Sequence, residues 1–271
     1  MEQKTAVITG ATGGIGKIIC KYLANKGYTI FAAYRSADKG DMLQQYLAPE
    51  LKENAMVHLI PVNFKSFASV GKFCNLIIDK LEGKKIDLLL NNAGMIARMF
   101  ETTEDGYESS MQVNYLSAKL ITETLLPHIS GKIINTISCA ITKGEHKEPC
   151  RIEAGILKNQ SSIMSLKHYS NSKLMLAQYT IELHKRVGGT IGVYGADPGI
   201  VNTSIISMHR WYDPITDVIF RPFIKSPESG AVPLINAIEH NYDPGSLQNY
   251  PLLFANDGTK QFPKKIRNLW K

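Results

Sequence analysis

The alternation of short β-rich runs with longer amphipathic stretches constrains the fold of this chain more than any other feature. Seven runs are predicted as strands, at 6–9, 29–34, 57–62, 86–90, 132–137, 191–196 and 251–255. The stretches predicted as helices cover 16–26, 39–52, 66–81, 103–128, 169–187 and 227–240. Each is long enough to carry the chain back across a sheet and place the next strand parallel to the last. The pattern predicts an α/β, doubly wound fold, with a mostly parallel seven-stranded sheet and helices on both faces.

The length and the apolar content fit one folding unit. The 271 residues are 44% hydrophobic, and the apolar runs are spread along the whole chain, which predicts a single domain over 1–271. Residues 1–4 lead directly into the first apolar run, so we expect no signal peptide. No run approaches the roughly 18 apolar residues that a membrane span needs. These observations predict a soluble, cytoplasmic protein without a membrane span.

Charge and cysteine content disfavour two other classes of protein. The net charge is +7, but the densest basic stretch is the tail at 264–271, which we interpret as a solvated terminus. A nucleic-acid-binding module would need a basic face, so nucleic acid is not predicted as a partner. The cysteines are far apart and form no CxxC pair, so we predict neither a metal site nor a disulfide framework.

A glycine-rich turn follows the first predicted strand and opens the first predicted helix. It reads Thr9-Gly10-Ala11-Thr12-Gly13-Gly14-Ile15-Gly16. Glycines let the chain turn tightly and approach a pyrophosphate, which the positive N-terminus of a helix attracts. A glycine-rich turn alone could equally be structural, but its place between strand and helix favours a dinucleotide site. The candidate cofactor-binding residues here are Gly10, Thr12, Gly13, Gly14, Ile15 and Gly16.

The end of the second predicted strand indicates which dinucleotide is used. NAD-binding folds place a carboxylate there for the ribose hydroxyls, whereas NADP-binding folds place a cation for the phosphate. This chain has Tyr34 and Arg35, with no acidic residue before Asp38. A guanidinium can bind a phosphate in bidentate fashion, so Arg35 favours NADP (NADPH) over NAD. A solvated arginine at the start of a loop remains the alternative.

Tyr169 and Lys173 form the candidate proton-transfer pair. They lie four residues apart, so on a helix both project from one face. A nearby ammonium stabilises a phenolate, which predicts a lowered pKa for Tyr169 and lets it exchange a proton while a hydride moves. Ser138 ends the fifth predicted strand, where its hydroxyl could hydrogen-bond a substrate oxygen. Two polar residues on the exposed face of a helix are the alternative reading of the pair.

Several of these motifs together resemble those of the short-chain dehydrogenase/reductase family. Gly10-x3-Gly14-x-Gly16 resembles its TGxxxGxG turn, Asn91-Asn92-Ala93-Gly94 its NNAG motif, and Tyr169-x3-Lys173 its YxxxK motif. The motifs occur in the family's order, and the resemblance continues through Asp197-Pro198-Gly199 to cover nearly the whole chain. Segments 34–36, 113–116 and 224–230 look most like the retinol-dehydrogenase-like branch.

The resemblance implies a fold, an activity and a set of site residues. It implies a Rossmann domain that transfers a hydride between a nicotinamide and a carbonyl or alcohol, often as a homodimer or homotetramer. Tyr169 would be the general acid or base, Ser138 would hold the substrate oxygen, and Lys173 would bind the nicotinamide ribose as well. Asn114 would hold a water for proton relay, although a core asparagine satisfied locally is an open alternative. The further cofactor-binding residues that it implies are Asn63, Asn91, Ala93, Gly94, Pro198, Gly199, Val201 and Thr203.

One of these assignments departs from the family pattern. The family usually has an aspartate where this chain has Asn63, at the end of the third predicted strand. An amide can also hydrogen-bond the edge of an adenine, so the assignment is kept.

Two segments break the strand–helix rhythm and are predicted to form the substrate pocket. Segments 139–167 and 199–226 both follow strand ends, where open α/β sheets bind ligands. The first is a polar loop longer than is common in the family, and the second is rich in large apolar residues, which favours a fairly apolar substrate. A dinucleotide-binding regulatory pseudoenzyme would usually have lost Tyr169 or Lys173. A sugar-nucleotide epimerase would need a larger C-terminal domain than this chain offers.

Overall fold

A parallel β-sheet forms the centre of the molecule. The computed structural model describes residues 3–51, 55–201, 225–241 and 251–268. Its strands are β1 (Thr5–Ile8), β2 (Thr29–Tyr34), β3 (Met56–Pro61), β4 (Ile86–Asn91), β5 (Phe100–Glu101), β6 (Ile129–Thr136), β7 (Leu157–Lys158), β8 (Gly192–Asp197), β9 (Leu252–Ala255) and β10 (Gly258–Gln261). The main sheet has the order β10-β9-β8-β6-β4-β1-β2-β3, while β5 and β7 pair separately.

The seven predicted strands are confirmed, and all pair in parallel, but the sheet has an eighth strand. The strand β10 pairs antiparallel to β9, with Ala255 opposite Gly258 across the two-residue turn Asn256-Asp257. Gly258 has a φ of +104°, a backbone conformation that side chains disfavour. An Asp-Gly pair is a hairpin signal, and the sequence analysis did not use it. The extra strand lies at the sheet edge, away from the central strands.

Helices cover both faces of the sheet, as predicted. They are α1 (Gly14–Asn25), α2 (Ala37–Leu47), α3 (Phe67–Leu81), α4 (Ser109–Met111), α5 (Ser117–Leu125), α6 (Ser162–Val187), α7 (Pro227–Glu239) and α8 (Lys264–Asn268). Short 3₁₀ helices span Ala48–Glu50, Leu126–His128 and Cys139–Lys143. Among the described residues, no helix is both long enough and apolar enough to cross a lipid bilayer.

Alternating residues of the strands supply two separate cores. Val7 and Ile133 face one core, where they pack with Phe73 of α3 and Leu176 of α6. Ile8 and Ile134 face the other, with Ile19 of α1 and Leu234 of α7. Every one of these side chains is fully buried. Burial on both faces explains the continuous apolar runs that mark parallel strands in the sequence.

The segment predicted as a polar loop at 139–167 is more ordered than expected. It opens with the 3₁₀ helix Cys139–Lys143, contributes β7, and ends in the first turns of α6. The start of α6 is earlier than predicted because Ser161 caps it, its Oγ accepting a hydrogen bond from the Met164 N–H at 3.2 Å. The catalytic candidates on α6 therefore lie inside the helix and not at its first turn.

The helix predicted over 103–128 begins later and is interrupted. Gly106, with a φ of +79°, forms a turn before it, and the Glu108 carboxylate accepts hydrogen bonds from the Ser110 and Met111 N–H groups at 2.9 and 2.8 Å. A π-helical turn, Gln112–Leu116, then joins α4 to α5. Such turns often lie at functional sites, and this one contains Asn114.

Candidate active site

The carboxyl ends of the central strands surround a cavity of about 680 Å³. This is where open α/β sheets bind their ligands. The cavity runs from the glycine-rich turn to the segment after Ser138. The predicted site residues that line it are Gly10, Thr12, Gly13, Gly14, Ile15, Gly16, Arg35, Asn63, Ala93, Gly94, Ser138, Tyr169, Lys173, Pro198, Gly199 and Val201.

The glycine-rich turn has the residue types that its backbone requires. Gly10 has a φ of +64°, and a Cβ there would lie 2.9 Å from the Ala93 Cα. A Cβ on Gly16 would collide with the Gly10 carbonyl oxygen. Helix α1 begins at Gly14, so its first N–H groups meet the cavity. This end of the cavity fits a pyrophosphate group.

Two side chains that the sequence analysis did not single out clamp the turn. The Thr9 Oγ1 accepts hydrogen bonds from the Asn92 N–H at 2.9 Å and the Ala93 N–H at 3.0 Å. The Asn92 Nδ2 donates in return to the Thr9 and Gly10 carbonyls, each at 3.3 Å. Both residues lie inside the quoted motifs, which was the available signal. The clamp fixes the end of β4 against the end of β1.

Cationic side chains line the part of the cavity that lies next to the end of β2. Arg35 and Lys39 are exposed and line the cavity. Arg35 forms no ion pair with any residue for which the structure gives a position. Asn63 lines the cavity too, and its Oδ1 accepts the Lys65 N–H at 3.1 Å. The arrangement can hold a phosphorylated ribose and its base.

Tyr169, Lys173 and Ser138 meet at the other end of the cavity. The Lys173 Nζ lies 6.0 Å from the centre of the Tyr169 ring and donates to the Thr136 carbonyl at 2.7 Å. Ser138 acts on the Tyr169 hydroxyl, whose pKa it lowers, and its Oγ accepts the Ala140 N–H at 3.2 Å. The end of β6 therefore supplies Ser138 and the support for Lys173. Helix α6 supplies the phenol and the ammonium.

The predicted lowering of the Tyr169 pKa is wrong for the protein on its own. Burial raises the pKa of Tyr169 to about 12, the hydrogen bond with Ser138 acts in the opposite direction, and the charge of Asp197 raises it further. Burial penalises a phenolate because the charged form loses its hydration. The phenol is therefore fully protonated at neutral pH.

Lys173 shows the opposite shift for the same reason. Burial lowers the pKa of Lys173 to about 8, and the charge of Asp197 partly offsets this. Asp197 ends β8, is buried, and accepts the Gly199 N–H at 2.9 Å through its Oδ1. In the sequence, Asp197 was recognised only as part of the motif Asp197-Pro198-Gly199. Its electrostatic effect on Lys173 follows from the adjacency of β8 and β6 in the sheet.

Asn91 is not among the residues that line the cavity, and its role in cofactor binding stays a prediction. Its side chain is buried, and the Nδ2 donates to the Asn135 Oδ1 at 2.8 Å and the Thr122 Oγ1 at 2.9 Å. These bonds join β4 to β6 and to α5. The amide is held in the core because each neighbouring element offers it a polar partner.

Asn114 also lies behind the cavity wall, in the π-helical turn. Its Oδ1 accepts the Met95 N–H at 2.7 Å, and its Nδ2 donates to the Met95 carbonyl and the Ser172 Oγ, both at 2.9 Å. This is the locally satisfied core asparagine that the sequence analysis kept as an alternative. The side chain fixes the segment after β4 against α6, one residue from Lys173.

The remaining predicted residues lie at the end of β8. Pro198, Gly199 and Val201 line the cavity, and Gly199 turns the chain with a φ of +73°. Thr203 and most of the predicted pocket segment 199–226 lie outside the described residues. Thr136 also lines the cavity, and its carbonyl accepts the Lys173 Nζ at 2.7 Å. Together with the turn, this fits a nicotinamide dinucleotide.

Sequence comparisons agree with this geometry. A family model described as short chain dehydrogenase matches residues 4–150. Mouse retinol dehydrogenase 12 is 31% identical over 233 residues, which cover 84% of this chain and 71% of that protein. Human retinol dehydrogenase 13 is 32% identical over 241 residues, covering 85% and 70% respectively.

A comparison of structures shows the same fold. A short-chain dehydrogenase from Burkholderia cenocepacia J2315, solved in complex with NADP, has a TM-score of 0.67 at 20% identity and covers 93% of this chain and 96% of that one. At this identity the structural comparison shows a shared fold alone, and the family relationship rests on the sequence matches. The chain belongs to the short-chain dehydrogenase/reductase family of oxidoreductases, in its retinol-dehydrogenase-like branch.

Proposed function

We propose that this protein is an NADP-dependent oxidoreductase that reduces a carbonyl compound, or oxidises the matching alcohol, with Tyr169 as the proton donor or acceptor. The observation that carries the proposal is the meeting of Ser138, Tyr169 and Lys173 in the cavity that also contains the glycine-rich turn. A regulatory pseudoenzyme has no observation in its favour, because the hydroxyl and both partners are present.

The cofactor would supply the hydride when bound. The glycine-rich turn and the start of α1 would bind its pyrophosphate, and Lys173 its nicotinamide ribose. NADP is proposed over NAD because Arg35, lining the cavity at the end of β2, can bind the additional phosphate. The relative solved in complex with NADP is consistent with this preference.

The proton chemistry of the site favours reduction. With a pKa of about 12, Tyr169 keeps its proton at neutral pH and can donate it to a carbonyl oxygen as hydride arrives. The Ser138 hydroxyl would orient that oxygen toward Tyr169. The charge of Lys173 then stabilises the phenolate that forms, since a group with a pKa of about 8 is mostly protonated at pH 7. Oxidation would need the less populated phenolate at the start.

The substrate is proposed to be a fairly apolar small molecule. Met95, Ile96, Leu166 and Ile200 line the cavity near Tyr169. The names of the relatives, retinol dehydrogenases, point to an apolar alcohol or aldehyde for those proteins. A single domain over 1–271, a cytoplasmic location and a homodimer or homotetramer stay predictions.

The proposal is tested by a screen followed by one substitution. NADPH consumption is measured with aldehydes, ketones, quinones, retinoids and steroids, and single-turnover rates are then measured for Tyr169→Phe. The variant keeps the ring and loses the acidic hydroxyl, so we expect the rate to fall by about 10²–10⁴-fold while NADPH affinity stays within about twofold. Lys173→Ala should lose both rate and cofactor affinity.

The control is Tyr46→Phe, which removes a phenolic hydroxyl from α2, away from the cavity. This variant should keep the parent rate. A Tyr169→Phe enzyme that retains more than about a tenth of the parent rate contradicts the assigned role, because general acid catalysis is worth at least about 100-fold.

A further inference from the structure

The charges that line the cavity all have one sign. Among the residues that the structure describes, the charged side chains on its surface are Arg35, Lys39, Lys65, Arg98, Lys143 and Lys173. The first three lie in the proposed cofactor region, and Lys173 belongs to the proton-transfer pair. Arg98 and Lys143 belong to neither group, so their presence on the substrate side needs its own explanation.

Lys143 is presented to the cavity by a fixed backbone. It ends the 3₁₀ helix Cys139–Lys143, which begins directly after Ser138 and buries Ile141 in the core. The next residue, Gly144, is packed against α6 so closely that a Cβ would lie 2.7 Å from the Ser170 carbonyl oxygen. The position of Lys143 relative to Tyr169 is therefore set by the packing of this helix on α6.

Two pairs of side chains in the same segment neutralise or bind each other. Lys167 lies 3.1 Å from Glu145, and His146 lies 3.2 Å from Glu148. Lys143 forms no ion pair with any residue in the described parts of the chain. Lys143 thus lines the cavity without a carboxylate partner among the described residues.

Arg98 lies in the segment after β4, which is also anchored near Tyr169. The Ala97 N–H donates to the Ser110 Oγ at 3.2 Å, and the Arg98 carbonyl accepts from the Ser165 Oγ at 3.4 Å. Ser165 is one turn before Tyr169 on α6. The backbone of Arg98 is consequently fixed close to the start of the helix that carries the phenol.

The surface that accompanies these two cations is apolar. Leu166 and Ile200 are large apolar residues left 43% and 47% exposed, and Met95, Ile96 and Ala140 line the same cavity. A ligand that filled this region would need an apolar body and an anionic group. A wholly neutral apolar ligand would leave the Lys143 ammonium partly desolvated beside it, which is unfavourable.

On the basis of the proposed function, we propose that the substrate is an apolar carbonyl compound that also carries a carboxylate, which Lys143 and Arg98 bind. The carboxylate would orient the substrate with its carbonyl group toward Tyr169 and Ser138. Charge-assisted hydrogen bonds from a guanidinium and an ammonium suit a carboxylate. Because both cations are exposed, the expected effect per cation is modest, about two- to fivefold.

The test uses matched pairs that differ in one charge. A series of ω-oxo alkanoic acids and their methyl esters is assayed with NADPH, and kcat/KM is compared within each pair. We expect the parent enzyme to prefer the acid by about fivefold or more at low salt, with the preference falling as salt is added. Lys143→Gln and Arg98→Gln should each reduce it by about two- to fivefold.

The matched control is Lys147→Gln. Lys147 is an exposed lysine in the same segment but does not line the cavity, so its loss should leave the acid preference unchanged. An equal kcat/KM for acid and ester in the parent enzyme overturns this inference and leaves the proposed function standing. An acid preference that survives both Lys143→Gln and Arg98→Gln also overturns this inference.

A binding measurement separates this inference from the proposed function. Alkanoic acids and their methyl esters, which have no carbonyl to reduce at the ω end, are titrated calorimetrically into the protein saturated with NADP⁺. Tighter binding of the acid that weakens in Lys143→Gln supports the anion site even if no aldehyde is turned over. Equal binding of acid and ester, with turnover of the esters, supports the proposed function and rejects the site.

Discussion

The two walls of the cavity are held in place in different ways. In the wall that contains the glycine-rich turn, the close contacts are between backbone atoms: Gly16 packs on the Gly10 carbonyl within the turn, and Gly10 packs on Ala93, just after β4. In the wall after Ser138, the contacts are made to helix α6 and include a side chain. Gly144 packs on the Ser170 carbonyl, and the Glu145 N–H donates to the Asn171 Oδ1 at 2.9 Å.

The difference teaches which part of the site tolerates change. A close contact between backbone atoms permits only glycine, because any side chain would displace the backbone that is proposed to bind the cofactor. A segment anchored on a helix can vary in length and side chains while its anchors keep it in place. We therefore expect substitutions in the first wall to impair cofactor binding, and those in the second to impair substrate turnover.

The largest effect is expected for Gly16→Ala. The new Cβ would collide with the Gly10 carbonyl oxygen and displace the turn, at a cost of about 1–3 kcal/mol in stability. NADPH affinity should fall by about 100-fold or more, equivalent to about 3 kcal/mol of binding free energy. Fluorescence titration with NADPH, together with thermal unfolding, checks both effects.

The control for this substitution is Gly71→Ala on α3, where a Cβ would meet no heavy atom within 4 Å. This variant should bind NADPH normally and gain about 0.5–1 kcal/mol in stability, since alanine suits a helix interior better than glycine. If Gly16→Ala bound NADPH as the parent does, the first wall would not depend on its backbone contact.

An intermediate effect is expected for Arg35→Ala, which sharpens the comparison within the first wall. Loss of one charged hydrogen-bonding partner costs about 1.5–3 kcal/mol, so NADPH affinity should fall by about 10–150-fold while NADH affinity stays nearly constant. Arg35→Lys keeps the charge without the guanidinium geometry, so its NADPH affinity should lie between those of the parent and Arg35→Ala. Equal affinities of the parent enzyme for NADPH and NADH would contradict the selectivity assigned to Arg35.

The smallest effect is expected for Gly144→Ala in the second wall. The Cβ would lie 2.7 Å from the Ser170 carbonyl and 2.9 Å from the Leu174 Cβ, which shifts the 3₁₀ helix that begins after Ser138. Displacing Ser138 should lower kcat/KM by about tenfold, with NADPH affinity unchanged. Gly189→Ala, where a Cβ meets nothing within 4 Å, is the control. A loss of NADPH affinity in Gly144→Ala would remove the distinction between the walls.

Element boundaries show where pattern reasoning succeeded and where it did not. The strand predicted at 29–34 and the helix predicted to end at Leu81 match the structure because their apolar pattern stops where burial stops. The start of α6 at Ser162 and the hairpin strand β10 were missed. Both depend on single capping or turn residues, Ser161 and Gly258, which leave little mark on apolar periodicity.

Within the candidate site, motif spacing predicted which residues share the cavity but did not predict their environments. Ser138, Tyr169 and Lys173 do share the cavity. The direction of the Tyr169 pKa shift was missed because it depends on burial, which α6 and the end of β6 create together. For Asn114, a role in proton relay and local satisfaction in the core were both open; Met95 and Ser172 hold its amide in the core, and the relay role stays a prediction.

The sequence alone determined the parallel sheet, the glycine-rich turn and the identity of the residues able to transfer a proton. These features depend on local periodicity and on the backbone freedom of glycine, which are properties of neighbouring residues. Tertiary structure alone decided the electrostatics: the raised pKa of Tyr169, the lowered pKa of Lys173, and the positive charges, Arg98 and Lys143 among them, that the described residues place on the cavity surface. Desolvation and charge proximity depend on elements far apart in the chain, so no local pattern could contain them.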